Sequence, residues 1–189
     1  SPMDAADRIC LGRMQNPVRG VLHGSAAVLS LFGAMALWRA GSGDLGMRIA
    51  LVVFAASLVG LYTVSSLYHS FPWQAVWKRR MQRLDHSMIY VLVAGTYTPL
   101  AMVVLDGWLL AAALGATWGI AIGGTIQKVF WPHVGDWVSI TMQVIQGWLA
   151  LPFMGAIARE LPPEAILLIV TGGILYTVGM VFFVTRRPH

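Results

Sequence analysis

The sequence is poor in charge and in cysteine. Of its 189 residues only 11% are Asp, Glu, Lys or Arg, and Cys10 is the single cysteine. One cysteine cannot form an internal disulfide, which excludes a disulfide-stabilised secreted scaffold. The low charge also excludes a disordered chain, and the 57% of hydrophobic residues is too many for an ordinary soluble domain. This composition is typical of an integral membrane protein.

Long apolar runs recur along nearly the whole chain. Each predicts a transmembrane helix, because one crossing needs roughly 20 apolar residues. The runs are near-continuous and do not alternate with polar residues, which favours helices over barrel strands. The expected fold is therefore all-α, a polytopic transmembrane helical bundle in which a tail (1–19) precedes a single domain (20–189). The six predicted helices cover residues 20–38, 48–69, 87–105, 108–127, 137–157 and 165–184.

The basic residues predict the orientation in the membrane. Ten of the 13 Lys and Arg lie in the N-terminal tail, the second and fourth loops and the C-terminus, and three lie on the other side at Arg39, Arg48 and Arg159. Cytoplasmic loops carry the excess of Lys and Arg, so we expect a multi-pass cell-membrane protein with a cytoplasmic N-terminus. The cations sit in short loops rather than on one continuous face, which argues against a nucleic-acid partner and leaves membrane lipids as the expected partners.

A polar stripe interrupts the second predicted helix. Tyr62, Ser65, Ser66 and His69 stand at i, i+3, i+4 and i+7 and therefore share one helix face. Ionisable groups inside a membrane need a partner or a cavity, so this face should point into the bundle. Asp85, at the predicted head of the next helix, is the expected partner of His69, because antiparallel helices place the two at similar depth.

Two interpretations of these residues remain open from spacing alone. His69 and Asp85, with Ser65 one turn deeper, can hold a zinc ion and a water, although a hydrolytic zinc site usually has three protein ligands. Alternatively, His69 and Asp85 form a hydrogen bond that only satisfies two polar groups. His23, followed by Gly24, is likewise either a ligand or part of a close helix contact.

Four segments carry a recognisable pattern. They are LHGSAAVLSLFGA at 22–34, SSLYHS at 65–70, RLDHSMIYVLVAGTYTPLAMV at 83–103 and GGILYTVGMVFF at 172–183. With these segments the chain resembles the bacterial hemolysin III family, which belongs to the wider group of progestin and adiponectin receptor-like seven-helix membrane proteins. The resemblance runs from about residue 16 to the end and is most specific in the S-x-x-x-H motif followed by LDHS and AGTYTP.

The resemblance implies a seven-helix bundle with a zinc ion near its cytoplasmic side. In the wider group a histidine of the second helix and two of the seventh hold the zinc, and an aspartate at the start of the third helix acts through water. By motif, His69 matches the first ligand, Asp85 the aspartate and Ser65 the serine of S-x-x-x-H. The seventh helix with its histidine pair does not follow the sixth segment here, so we expect the zinc site to be incomplete in this chain.

Three functions follow from the resemblance. The first is a zinc-dependent intramembrane hydrolase of lipid amides or esters, with Asp85 and Ser65 catalytic and Asp85 positioning the attacking water. The second, implied by the family name, is a channel-forming cytolysin, which the uniformly apolar helices and the polar N-terminal stretch do not favour. The third is a non-enzymatic protein of membrane-lipid homeostasis.

Overall fold

The computed structural model describes residues 14–41 and 44–185, so the interpretation that concerns Cys10, and the basic residues of both termini beyond this range, lie outside it. Within the described residues all regular structure is helical and no β-strand occurs, which confirms the all-α fold. Six helical stretches are long and apolar enough to cross a membrane, as predicted. The helices are α1 (Pro17–Ala40), α2 (Leu45–Ser70), α3 (Ala75–Val104), α4 (Gly107–Phe130), α5 (Asp136–Gly147), α6 (Met154–Glu160) and α7 (Pro163–Thr185).

Short connections make consecutive helices antiparallel neighbours. Pro17 begins α1, where its missing N–H is no loss, and the Asp44 carboxylate caps α2 by accepting from the N–H groups of Gly46 and Met47. Gly107 begins α4 with a φ of 54°, a conformation that side-chain-bearing residues rarely adopt. Helices α1 to α4 consequently pack in sequence, each mainly against the next.

The third helix begins earlier than its apolar run. It starts at Ala75 rather than near residue 87, so Asp85 lies inside α3 and not at its head. The intervening residues include many charged side chains, but also good helix formers, Lys, Arg, Gln and Met. Hydropathy detects the lipid-buried part of a helix rather than its end. The basic cluster from Lys78 to Arg83 is therefore helical and not a loop.

The fifth span is interrupted, which corrects the continuous helix predicted at 137–157. Helix α5 ends at Gly147, a 3-10 turn covers Leu151–Phe153, and α6 follows. Pro152 provides no backbone N–H, which accounts for the break. The Tyr97 hydroxyl of α3 satisfies the freed backbone groups, since it donates to the Gly147 carbonyl at 3.0 Å and accepts from the Ala150 N–H at 2.8 Å.

A buried hydrophobic cluster lies between α3, α4 and α5. Tyr90, Ala94 and Ala121 are almost fully buried there. Gly124 faces the ring of Tyr90 so closely that a Cβ atom would lie 2.7 Å from its Cζ. By contrast, α1 and α7 expose most of their apolar side chains, as helices in contact with lipid do. The polar stripe of α2 lies towards one end of this bundle, between α1 and α3.

Candidate functional site

The polar stripe of α2 points inward, as predicted. Ser65 and His69 are 4% and 8% exposed, although both lie on a helix whose other residues are largely apolar. Ser66 contacts α1, where its hydroxyl donates to the Gly20 carbonyl at 2.9 Å. A Cβ on Gly24 would lie 3.0 Å from the Ser66 hydroxyl, which confirms a close helix contact at Gly24. Small residues thus bring α1 against the stripe.

His23 of α1 is the direct partner of Ser65. Its Nδ1 lies 2.7 Å from the Ser65 Oγ, a short hydrogen bond between two helices. The His23 ring makes edge contacts with Tyr62 and His69, with centroid separations of 5.9 and 5.8 Å. The close helix contact therefore also carries an imidazole into the site, while the role of His23 as a ligand stays a prediction.

The start of α1 covers His69. The Asn16 N–H donates to the His69 carbonyl at 2.8 Å, and the Asn16 side-chain nitrogen lies 3.4 Å from Nδ1 of His69. The two ends of an amide are interchangeable in such a contact, so Asn16 can either donate to Nδ1 or accept from it. In the second case Nδ1 carries the proton and Nε2 is left to accept a proton or bind a metal.

Asp85 lies beside the stripe without bonding to His69. Its half-buried carboxylate interacts electrostatically with both Tyr68 and His69. Within the described part of the chain, Asn16 and not Asp85 is the hydrogen-bond partner of the His69 ring. The alternative of a His69–Asp85 hydrogen bond is therefore not formed. What links the two groups is an electrostatic interaction across the α2–α3 interface.

The residues at this end are of types that bind zinc, but they form a partial set. Imidazole and carboxylate groups are ordinary zinc ligands. His69 is buried on the face of α2 that points into the bundle, where a ligand would have to lie. Among residues 14–41 and 44–185, however, no group of three His, Cys, Asp or Glu side chains is arranged to hold a metal ion. His133 is exposed in the loop after α4. The described residues thus do not by themselves fit a three-ligand zinc site.

Polar residues of α5 form a network that the sequence interpretation missed. Gln146 is fully buried, and its Nε2 donates to the carbonyls of Tyr90 at 3.0 Å and Thr117 at 3.1 Å, which joins three helices. Its Oε1 has no hydrogen-bond partner among the described residues. The signal was available, because glutamine is one of the side chains that form hydrogen bonds between membrane helices.

The six apolar helical stretches found among residues 14–41 and 44–185, with a buried polar face near one end, define a multi-pass integral membrane protein. Within that class the chain belongs to the Haemolysin-III related family, whose family model matches residues 12–189. This confirms the resemblance seen in the motifs.

Curated relatives agree with this assignment. The chain is 36% identical to "Hemolysin-3" of Bacillus cereus over 169 residues, 88% of this chain and 77% of the relative. It is 31% identical to the "Hemolysin-3 homolog" of Bacillus subtilis, over 88% of this chain and 79% of the relative. The human "Monocyte to macrophage differentiation factor" is 23% identical over 85% of this chain and 68% of its own length. No solved structure gives a significant match.

Proposed function

We propose that this chain is a resident protein of the cell membrane, with a cytoplasmic N-terminus, that hydrolyses an amide or ester bond of a membrane lipid with zinc as cofactor. The observation that supports this is the convergence of two imidazoles, a hydroxyl and a carboxylate at one end of an apolar bundle. These are His23, His69, Ser65 and Asp85. Such groups are costly within a membrane, and their usual reason for being there is function.

Each residue has a role that its contacts suggest. His69 is the metal ligand of this proposal, and Asp85 places a negative charge beside it. Zinc, when bound, supplies Lewis acidity and an activated water. Ligands in addition to the described residues are needed to complete the set. His23 and Ser65 can pass a proton across their 2.7 Å contact, so Ser65 can orient or protonate a polar group of the lipid.

The metal can be tested by elemental analysis of the purified chain. Any zinc that the wild type holds, with further ligands completing the site, should be lost in His69→Ala. His133→Ala is the matched control, because it removes an exposed loop imidazole, and it should keep its zinc. Zinc that survives His69→Ala contradicts the ligand role. A wild-type chain that binds no zinc when zinc is supplied contradicts the cofactor.

The reaction can be tested with a ceramide-like amide and a lipid ester in mixed micelles. Asp85→Asn should lower the rate by roughly 100-fold or more, as expected for a group that helps to position or activate water. Asp106→Asn is the control, since Asp106 precedes α4 at the opposite end of the bundle. No hydrolysis by the zinc-loaded wild type rejects this substrate class. Rescue of membrane fluidity by Asp85→Asn then favours the non-enzymatic role in lipid homeostasis.

A channel-forming cytolysin is the second candidate, because the Bacillus cereus relative bears the name "Hemolysin-3". Dye release from sealed liposomes distinguishes it from the hydrolase. Release that is equal in the wild type and in Asp85→Asn supports channel formation. Intact liposomes at high protein density reject it.

A further inference from the structure

A second polar site lies at the same end of the bundle as His69 but uses different residues. A cavity of about 940 Å³ opens among the starts of α1, α3 and α5 and the ends of α4 and α7. This volume lies within the usual range for small-molecule sites, roughly 300–1,000 Å³. Because each of these helices lines the cavity with one of its ends, and each crosses the membrane, the cavity lies at the depth of lipid headgroups.

The cavity is strongly basic. Arg19, Arg79, Arg83 and Lys128 line it, against a single carboxylate, Asp136. One carboxylate cannot balance four cations that share one cavity, and their mutual repulsion is stronger beside an apolar bundle than in water. A bound anion would relieve that repulsion. The site is therefore chemically suited to an anionic ligand.

The other lining residues indicate the chemistry of the rest of that ligand. The side-chain amides of Gln82 and Gln127 add hydrogen-bonding groups beside the cations. Ile140, Phe182 and Val184 form an apolar wall, and Phe182 and Val184 are about half exposed on the lipid-facing helix α7. A basic floor beside an apolar wall matches an amphiphile better than a free ion, since a free ion gains nothing from the apolar part.

We propose that this cavity binds the phosphate of an anionic phospholipid, with the acyl chains lying along α7. Arginine presents two parallel N–H groups that match phosphate oxygens, and Lys128 adds a point charge. Basic pockets between transmembrane helices are known to take anionic headgroups. The inference goes beyond the proposed hydrolysis, because it depends on neither zinc nor His69, Ser65 or Asp85.

The test is lipid retention by the purified full chain in detergent micelles, measured by native mass spectrometry with phosphatidylglycerol and phosphatidylcholine. The wild type should retain phosphatidylglycerol preferentially. In Arg79→Gln/Lys128→Gln the affinity for phosphatidylglycerol should fall roughly 30-fold, as expected for two lost cations, while that for phosphatidylcholine stays unchanged. The matched control is Arg39→Gln/Arg159→Gln, which removes two cations from the opposite end and should behave as the wild type.

Further arms separate the alternatives. Arg79→Lys/Lys128→Arg keeps the charge and should keep the lipid. If the glutamine variant loses the lipid and the charge-preserving variant retains it, misfolding caused by substitution at these two positions does not explain the loss. Equal retention of both lipids by the wild type overturns the proposal, and this comparison needs no variant. Displacement of phosphatidylglycerol by excess inorganic phosphate alone would mean that the site takes a free anion, which overturns the lipid as ligand.

Discussion

Nδ1 of His23 on α1 and Oγ of Ser65 on α2 lie 2.7 Å apart and join two helices through their side chains. Helix α1 has few buried residues, so this contact is one of the polar interactions that hold it in register with α2. The same two atoms belong to the proposed site. Stability and function can therefore be measured on one pair.

His23→Ala and Ser65→Ala should be energetically coupled. Hydrogen bonds between membrane helices contribute about 0.6 kcal/mol on average and up to about 1.7 kcal/mol, and a contact this short should lie in that range. A double-mutant cycle of unfolding in mixed detergent micelles measures the coupling. Ser30→Ala is the control for serine removal, because the Ser30 hydroxyl bonds only within α1, to the Ala26 carbonyl. Additive effects of His23→Ala and Ser65→Ala would contradict the bond.

Two glycines of α4 should respond oppositely to alanine. A Cβ at Gly124 would lie 2.7 Å from the Tyr90 ring, so Gly124→Ala should destabilise the protein by about 1–3 kcal/mol through overpacking. Gly115 has no atom within 4 Å of the equivalent position, and Gly115→Ala should be neutral or stabilising by up to about 1 kcal/mol through helix propensity. Equal free energies of unfolding for the two variants would show that α4 does not pack on Tyr90 as described.

Removal of the Tyr97 hydroxyl should destabilise the protein at the break between α5 and α6. Tyr97→Phe keeps the ring but leaves the Gly147 carbonyl and the Ala150 N–H without their partner, at a cost of about 1–3 kcal/mol. Tyr62→Phe preserves the ring contact with His23 and should have a much smaller effect. Hydrogen exchange at Ala150 checks the mechanism, since faster exchange there is expected in Tyr97→Phe alone.

The single cysteine can report the orientation of the chain. The excess of Lys and Arg predicts a cytoplasmic Cys10, so a membrane-impermeant maleimide should label it in inside-out vesicles and not in right-side-out ones. Cys10→Ser combined with Asp106→Cys moves the thiol to the connection between α3 and α4 and should reverse the pattern. Labelling of Cys10 in right-side-out vesicles would invert the proposed topology.

Which segments contact lipid and which helix face is buried were predictable from the sequence. The apolar runs located six spans because lipid contact requires them, and the spacing of Ser65 and His69 correctly indicated a buried face. Helix ends were less predictable: α3 starts at Ala75 because helix propensity, not hydropathy, decides where it begins. The His23–Ser65 bond joins residues 42 positions apart, and no local pattern encodes such a pairing.

The early start of α3 has a mechanical consequence. Its 30 residues make a rod of about 45 Å, longer than the roughly 30 Å hydrocarbon layer. Arg79, which lines the basic cavity, and Asp85, which lies beside His69, are six residues apart on that rod, less than two helical turns. A helix does not bend appreciably over so short a distance. A shift of Arg79 along the membrane normal relative to α2 is therefore also a shift of the Asp85 carboxylate relative to His69.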